Sequence, residues 1–190
     1  MSGGTVDGIL ESGGHTYISG GTVENVLWNQ GFSNVSGGTV EGIYNNGGMV
    51  NISGGAITPY GNYDIPVICN NGGTVIISGG TFTGAPASNR DIWANGGTVY
   101  ILGTDFNYGY GRISSPSGTL TGTLADGSLL DLSFAYANGG IAADGDIVLL
   151  PPGAIPPNST VPEPSTLVVW SLLGASGAAI GWWRRKRKAA

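Results

Sequence analysis

Three sets of residues in this 190-residue chain are of types that do chemistry. Asp64, Arg90 and Asp91 combine two carboxylates with a guanidinium, and if they converged they could move protons in the cleavage of a polysaccharide. Asp7, Glu24 and Glu41 follow one another at steps of 17 residues, so a repeating structure would stack them in a column whose oxygens suit Ca²⁺. Trp28, Tyr44, Tyr60, Tyr63, Trp93, Tyr108 and Tyr110 could offer ring faces to sugars. Each set also has a plainer reading. A guanidinium with no lysine nearby is thin equipment for a lyase. Like charges at strand spacing repel, and the Gly-Gly-x-Gly-x-Asp pattern of calcium-binding repeats does not occur, so the acidic column reads as a solvated face. The rings read as packing over strand edges. His15 and Cys69 each stand alone, which leaves no disulfide, no cysteine-based zinc site and no paired nucleophile. The expectation is a protein without a catalytic site, cofactor or metal.

Composition points the same way. Glycine makes up 36 of the 190 residues and charged residues only 10%, against ordinary values of ~7% and ~25%. An ordinary helical domain is excluded, and with 41% hydrophobic residues the chain has a core to bury. The glycines have no three-residue period, so it is not collagen-like. The net charge of −5 is an average over unlike parts, because five of the seven basic residues are consecutive, Arg184 to Lys188. Residues 1–183 hold Arg90 and Arg112 against all twelve acids, a formal charge of −10. Such a body offers no clustered cations for phosphates, and nucleic acid is not an expected partner.

The elements that must position these side chains are repeats. Ser-Gly-Gly begins at Ser2, Ser19, Ser36 and Ser53, at steps of 17, and recurs at Ser78 and, degenerate, at Leu102, at steps of 25 and 24. A second glycine element runs in phase: Gly13-Gly14, Gln30-Gly31, Gly47-Gly48. The added length falls in 58–69 and 83–94, as expected for loops on one face of a stack. Between the glycines lie short β-branched runs such as Thr16-Tyr17-Ile18 and Thr74-Val75-Ile76-Ile77, which read as strands. Aligned, the repeats give three aliphatic columns: Ile18, Val35, Ile52, Ile77 and Ile101; Val6, Val23, Val40 and Ile57; and Ile9, Val26 and Ile43. This predicts an all-β chain, a parallel β-solenoid (β-helix) of about six to seven coils with glycine pairs at its corners. One coil buries about four aliphatic side chains at ~1.5–3 kcal/mol each, while ordering its backbone costs ~1–2 kcal/mol per residue. A coil is therefore stable only in a stack.

The predicted organisation is repeats over 1–104, irregular last coils and a cap over 105–150, a Pro-rich linker over 151–166, a transmembrane helix over 167–183 and a basic cytoplasmic tail over 184–190. In the cap, strands are expected at 118–124, 129–134 and 146–150. The first repeat opens without a leader or cap, so a longer parent chain is expected.

The C-terminus carries the most specific signal. Leu167 to Trp183 is 17 residues without a charge, including Trp170, and is followed at once by Arg184, Arg185, Lys186, Arg187 and Lys188. As a helix it would reach about 25 Å, slightly under a ~30 Å hydrocarbon core. Trp182 and Trp183 suit the interface, the basic run sets topology with the body on the far side of the membrane, and Gly177 and Gly181 give a small-xxx-small pattern. Upstream stand Val161, Pro162, Glu163 and Pro164. The prolines fix φ and stop the helix from extending upstream, leaving an extended peptide for a protease to grip.

Pro-Glu-Pro, apolar span and basic end, in that order, resemble the PEP-CTERM sorting signal over about 161–188. The resemblance implies an exported protein of a Gram-negative-type bacterium, processed near Pro162-Glu163-Pro164 by an exosortase, a transpeptidase-like membrane protease, and associated with extracellular polysaccharide or biofilm. The segment Gly122 to Ser128 also resembles what often precedes this signal. The expected protein is a structural or adhesive component held in the inner membrane by its C-terminus during export, then placed at the cell surface or in the extracellular matrix. A carbohydrate-binding or polysaccharide-degrading β-helix with the same anchor is the alternative.

Overall fold

The computed structural model describes residues 1–7, 10–61, 65–84, 90–136 and 145–157. They form twelve strands: β1 (Ser2–Asp7), β2 (Leu10–Ser12), β3 (His15–Glu24), β4 (Leu27–Asn29), β5 (Phe32–Glu41), β6 (Ile43–Thr58), β7 (Ile68–Phe82), β8 (Ile92–Thr104), β9 (Gly111–Arg112), β10 (Ser117–Leu124), β11 (Leu129–Tyr136) and β12 (Asp146–Leu150). The described chain is all-β, and pairing through β8 is parallel, β1-β3-β5-β6-β7-β8 along one path and β2-β4-β6 along another.

The registers follow the repeat. Ile18 pairs with Val35, Val35 with Ile52, Ile52 with Ile77 and Ile77 with Ile101, and all five are fully buried. Val6, Val23, Val40 and Ile57 form a second column, which continues to Phe82. At ~1.5–3 kcal/mol per buried aliphatic side chain, these rows hold the layers together.

The third column is not the one the sequence suggested. Leu27, not Val26, pairs with Ile43, and the row runs Leu10, Leu27, Ile43, Ile68, Ile92; Ile9 lies outside the described residues. The bend before Leu27 uses Asn25 (φ 115°) and Val26, whereas the bend before Ile43 is Gly42 alone (φ 72°). The step is therefore one residue short there. The residue is regained at Asn46-Gly47-Gly48, so that Met49 again pairs with Phe32, 17 positions earlier.

The glycine pairs have two distinct reasons. A Cβ on Gly37 would lie 2.6 Å from the Ser19 carbonyl oxygen of the layer beneath, and Gly38 holds φ at +79°, where a side chain is strained. The same carbonyl approach recurs at Gly54, 2.7 Å from Ser36 O. Ser-Gly-Gly is thus a place where backbone lies directly on backbone.

Beyond β8 the order changes. β10 and β11 form an antiparallel hairpin, and the end of β10 runs antiparallel to the end of β8, with Thr123 against Thr104. The layer over β8 is completed in two pieces: Phe134–Tyr136 of β11 lie parallel on Ile92–Ala94, and β12 lies parallel on Thr98–Leu102. Leu120, Leu124, Leu130, Leu132 and Phe134 close the core from the hairpin's inner face. Alternation puts Ser117, Thr119 and Ser133 on its outer face.

Candidate functional site

Asp91 is held by the hairpin. Its backbone N–H donates to Ser133 Oγ (3.0 Å), and the Ser133 N–H and hydroxyl donate to Asp91 Oδ2 (2.8 and 2.6 Å). Asp91 is only 5% exposed. These three bonds fasten the segment before β8 to β11. Arg90 projects beside it with its guanidinium carbon 4.7 Å from the centre of the Trp93 ring. Between Arg90 and the hairpin opens a groove of about 630 Å³ lined by Ser117, Gly118, Thr119, Ser133 and Tyr136. Tyr136 is braced from behind, donating to Ile113 O (3.0 Å) and accepting from the Ile147 N–H (3.1 Å). Burial, ahead of all other influences, raises its phenol pKa. Asp64 lies outside the described residues, so the predicted trio is represented here by Arg90 and Asp91 alone.

The aromatic residues mostly pack on one another. Trp28 and Tyr44 occupy paired positions and stack face to face, centroids 5.7 Å apart and planes 4° apart. That column continues through Cys69 to Trp93, one face of which carries Arg90. Tyr108 sits edge-on to Phe134, and Phe106 edge-on to Tyr110. Trp28 and Tyr44 thus cover one face of each other, while Tyr110 stays 57% exposed. Tyr60 is half-buried, and Tyr63 lies outside the described residues.

The acidic column forms in part. Asp7 pairs with Glu24, the Val23–Val40 register sets Glu41 on the next layer, and the row ends at Thr58. Among the described residues no group of three His, Cys, Asp or Glu side chains is placed to hold a metal ion. Thr5, Thr22 and Thr39 pair in register from layer to layer, and the row is interrupted by Ala56. His15 is exposed, its ring tilted against Phe32 at 5.7 Å. Cys69 is buried, and its Sγ donates to Asn71 Oδ1 at 3.2 Å. Burial pushes the thiol pKa up to about 11, against smaller lowering effects from Arg90 and Asn71.

Sequence reasoning missed a ladder of asparagines inside the core. Asn29, Asn45 and Asn70 are fully buried. Asn29 Nδ2 donates to Asn45 Oδ1 (2.8 Å), Asn45 Nδ2 donates to Asn70 Oδ1 (2.9 Å), and Ser33 Oγ donates to Asn29 Oδ1 (2.8 Å). A second row lies outside, where Asn95 donates to Asn71 and Asn71 to Asn46 (2.9 and 2.8 Å). The available signal was the doubled asparagine before Gly-Gly at Asn45-Asn46 and Asn70-Asn71, whose two members face in and out by strand alternation.

The predicted sorting residues, Val161 to Pro164 through Lys188, lie outside the described residues. The linker enters as a turn, with the Ala154 N–H donating to Pro151 O (3.1 Å), and Ile155 is 82% exposed. Among the described residues no helix is long and apolar enough to cross a membrane.

The described body defines the chain as an all-β repeat protein with hydrogen-bonded side-chain ladders. Residues 160–186 match the model of the PEP-CTERM protein-sorting motif, which supports an exported protein sorted by an exosortase, with its C-terminus associated with the membrane. No curated protein and no solved structure matches the chain.

Proposed function

We propose that the protein is a non-enzymatic structural or adhesive component of a bacterial surface or extracellular matrix, exported with its C-terminus in the inner membrane and released by exosortase cleavage near Pro162-Glu163-Pro164. The observation that carries this reading is the sorting motif at 160–186. The body would be a parallel β-solenoid on a Pro-rich stalk, a shape supported by the in-register rows at steps of 17, 17, 25 and 24 residues from Ile18 to Ile101. A structural role is supported by the absorption of Asp91 into its bonds with Ser133. Residues 1–162 hold eleven acids against Arg90 and Arg112, a formal charge of −9, so release from the anchor would free a soluble acidic rod. A carbohydrate-binding role is the second reading, favoured by the hydroxyl-lined groove beside Arg90.

The test is to express the full chain in a host with and without its exosortase and to follow the C-terminus by mass spectrometry. Loss of the basic tail only with the enzyme present, and its retention after Pro162→Ala, Glu163→Ala and Pro164→Ala together, is expected. Equal tail loss in the triple variant would refute the reading.

A further inference from the structure

We propose that Asn46 is a site of covalent self-modification by deamidation, and that among the described residues it is the asparagine of the outer row placed to give up its amide nitrogen. Asn46-Gly47, Asn71-Gly72 and Asn95-Gly96 stand at equivalent corners of successive layers. A glycine after an asparagine leaves the backbone nitrogen unshielded by a Cβ, and that nitrogen is the nucleophile. The regular register is interrupted on both sides of Asn46, after Asn45 and again before Met49. By sequence the three steps are alike; their side-chain bonds are not.

The reaction asks for a polarised side-chain carbonyl, a nitrogen free to leave and room for water. Asn46 Oδ1 accepts from Asn71 Nδ2 (2.8 Å), a bond that draws electrons from Cγ and stabilises the oxyanion that forms on attack. Asn46 Nδ2 is buried without a hydrogen-bond partner, so its departure breaks no hydrogen bond and removes a stranded donor. The other two nitrogens are tied, Asn71 Nδ2 to Asn46 and Asn95 Nδ2 to Asn71 Oδ1 (2.9 Å). Gly47 is exposed, and a Cβ on it would meet nothing within 4 Å, whereas a Cβ on Gly72 would lie 3.5 Å from the Gly47 backbone. The corner beside Asn46 is therefore the more open to water.

In the first step the Gly47 nitrogen bonds to Asn46 Cγ and passes its proton to water. The Cγ–Nδ2 bond then breaks, Nδ2 takes a proton from water and leaves as ammonia, and a succinimide remains. Water adds to one of the two ring carbonyls and opens the ring to aspartate or isoaspartate. In sum a water is consumed, ammonia is released and the body gains a negative charge. The aspartate product keeps an acceptor for Asn71 Nδ2, now charge-assisted, while isoaspartate lengthens the main chain at the corner.

The experiment incubates the full-length protein in mild detergent in a mildly alkaline buffer and follows each Asn-Gly peptide by mass spectrometry, with aspartate and isoaspartate forms separated by chromatography. Asn46 is expected to lose its amide several-fold faster than Asn71 or Asn95 in the folded protein, and the three rates should converge in denaturant. Asn71→Ala removes both the donor to Asn46 and the acceptor of Asn95, so Asn46 should slow while Asn95 does not; a variant that merely loosened the corner would speed both. Asn71 or Asn95 leading, equal rates in the folded protein, no loss at Asn46, or a faster Asn46 in Asn71→Ala overturns the proposal.

Discussion

Asn45 Nδ2 donates to Asn70 Oδ1 at 2.9 Å across 25 positions of sequence, and both side chains are shut off from solvent. Asn45 also donates to the carbonyls of Gly48 (3.1 Å) and Gly72 (2.7 Å), so one amide ties its own corner to the next layer. In a dry interior an unmade hydrogen bond costs more than a made one contributes, which makes this ladder a register lock: a slipped layer would leave polar groups buried and alone.

Asn45→Ala should therefore destabilise the body by about 2–3 kcal/mol, the order expected for stranding buried polar groups. Asn51→Ala, which removes the half-buried bond from Asn51 to Asn34 (2.7 Å), should cost less than about 1 kcal/mol. Thermal melts of the two variants side by side decide this, and equal losses would contradict the lock.

The double change Gly37→Val and Gly38→Val should be among the most damaging in the chain, since one side chain meets the Ser19 carbonyl and the other a φ of +79°. Gly109→Val, where a Cβ meets nothing within 4 Å, should stay within about 0.5 kcal/mol of the parent. Similar melting shifts would remove the backbone-on-backbone account of Ser-Gly-Gly.

Cys69 should resist thiol reagents at neutral pH in the folded protein, because burial raises its pKa to about 11 and keeps the thiolate scarce. Full labelling on denaturation with none before is the expected pattern. Rapid native labelling would mean that the Tyr44–Cys69–Trp93 face opens readily.

Asp126 gives the body a defined acid sensitivity. Burial acts to raise its pKa, but hydrogen bonds from Ser128 and from the Gly80 N–H (2.8 Å) outweigh it and hold the carboxyl below the usual range. A depressed carboxylate contributes stability that is present above its unfolded pKa of ~3.9 and is lost as pH falls through the lower folded value. Asp126→Asn should flatten the fall of melting temperature below about pH 4. An unchanged acid limb would show that other carboxylates set it.

Replacing Arg184, Arg185, Lys186, Arg187 and Lys188 by Gln should weaken the orientation signal of the C-terminal segment. Protease protection of the tail in membrane vesicles measures this; wild-type protection in the variant would locate the signal elsewhere.

The repeat step, the rows through Ile18 and Val23, the strands of the closing region and the sorting motif are legible in the sequence because each is a local or periodic pattern: alternation and glycine spacing are visible without knowing what touches what. The sequence misassigned the row at Val26, because the one-residue saving at Gly42 shows only once the layers are superposed. The antiparallel return of β10 on β8 and the fastening of Asp91 to Ser133 across 42 positions were decided by tertiary structure alone. Each depends on which backbone the folded layers bring opposite, a choice made by the packing of the whole stack and encoded in no single window of residues.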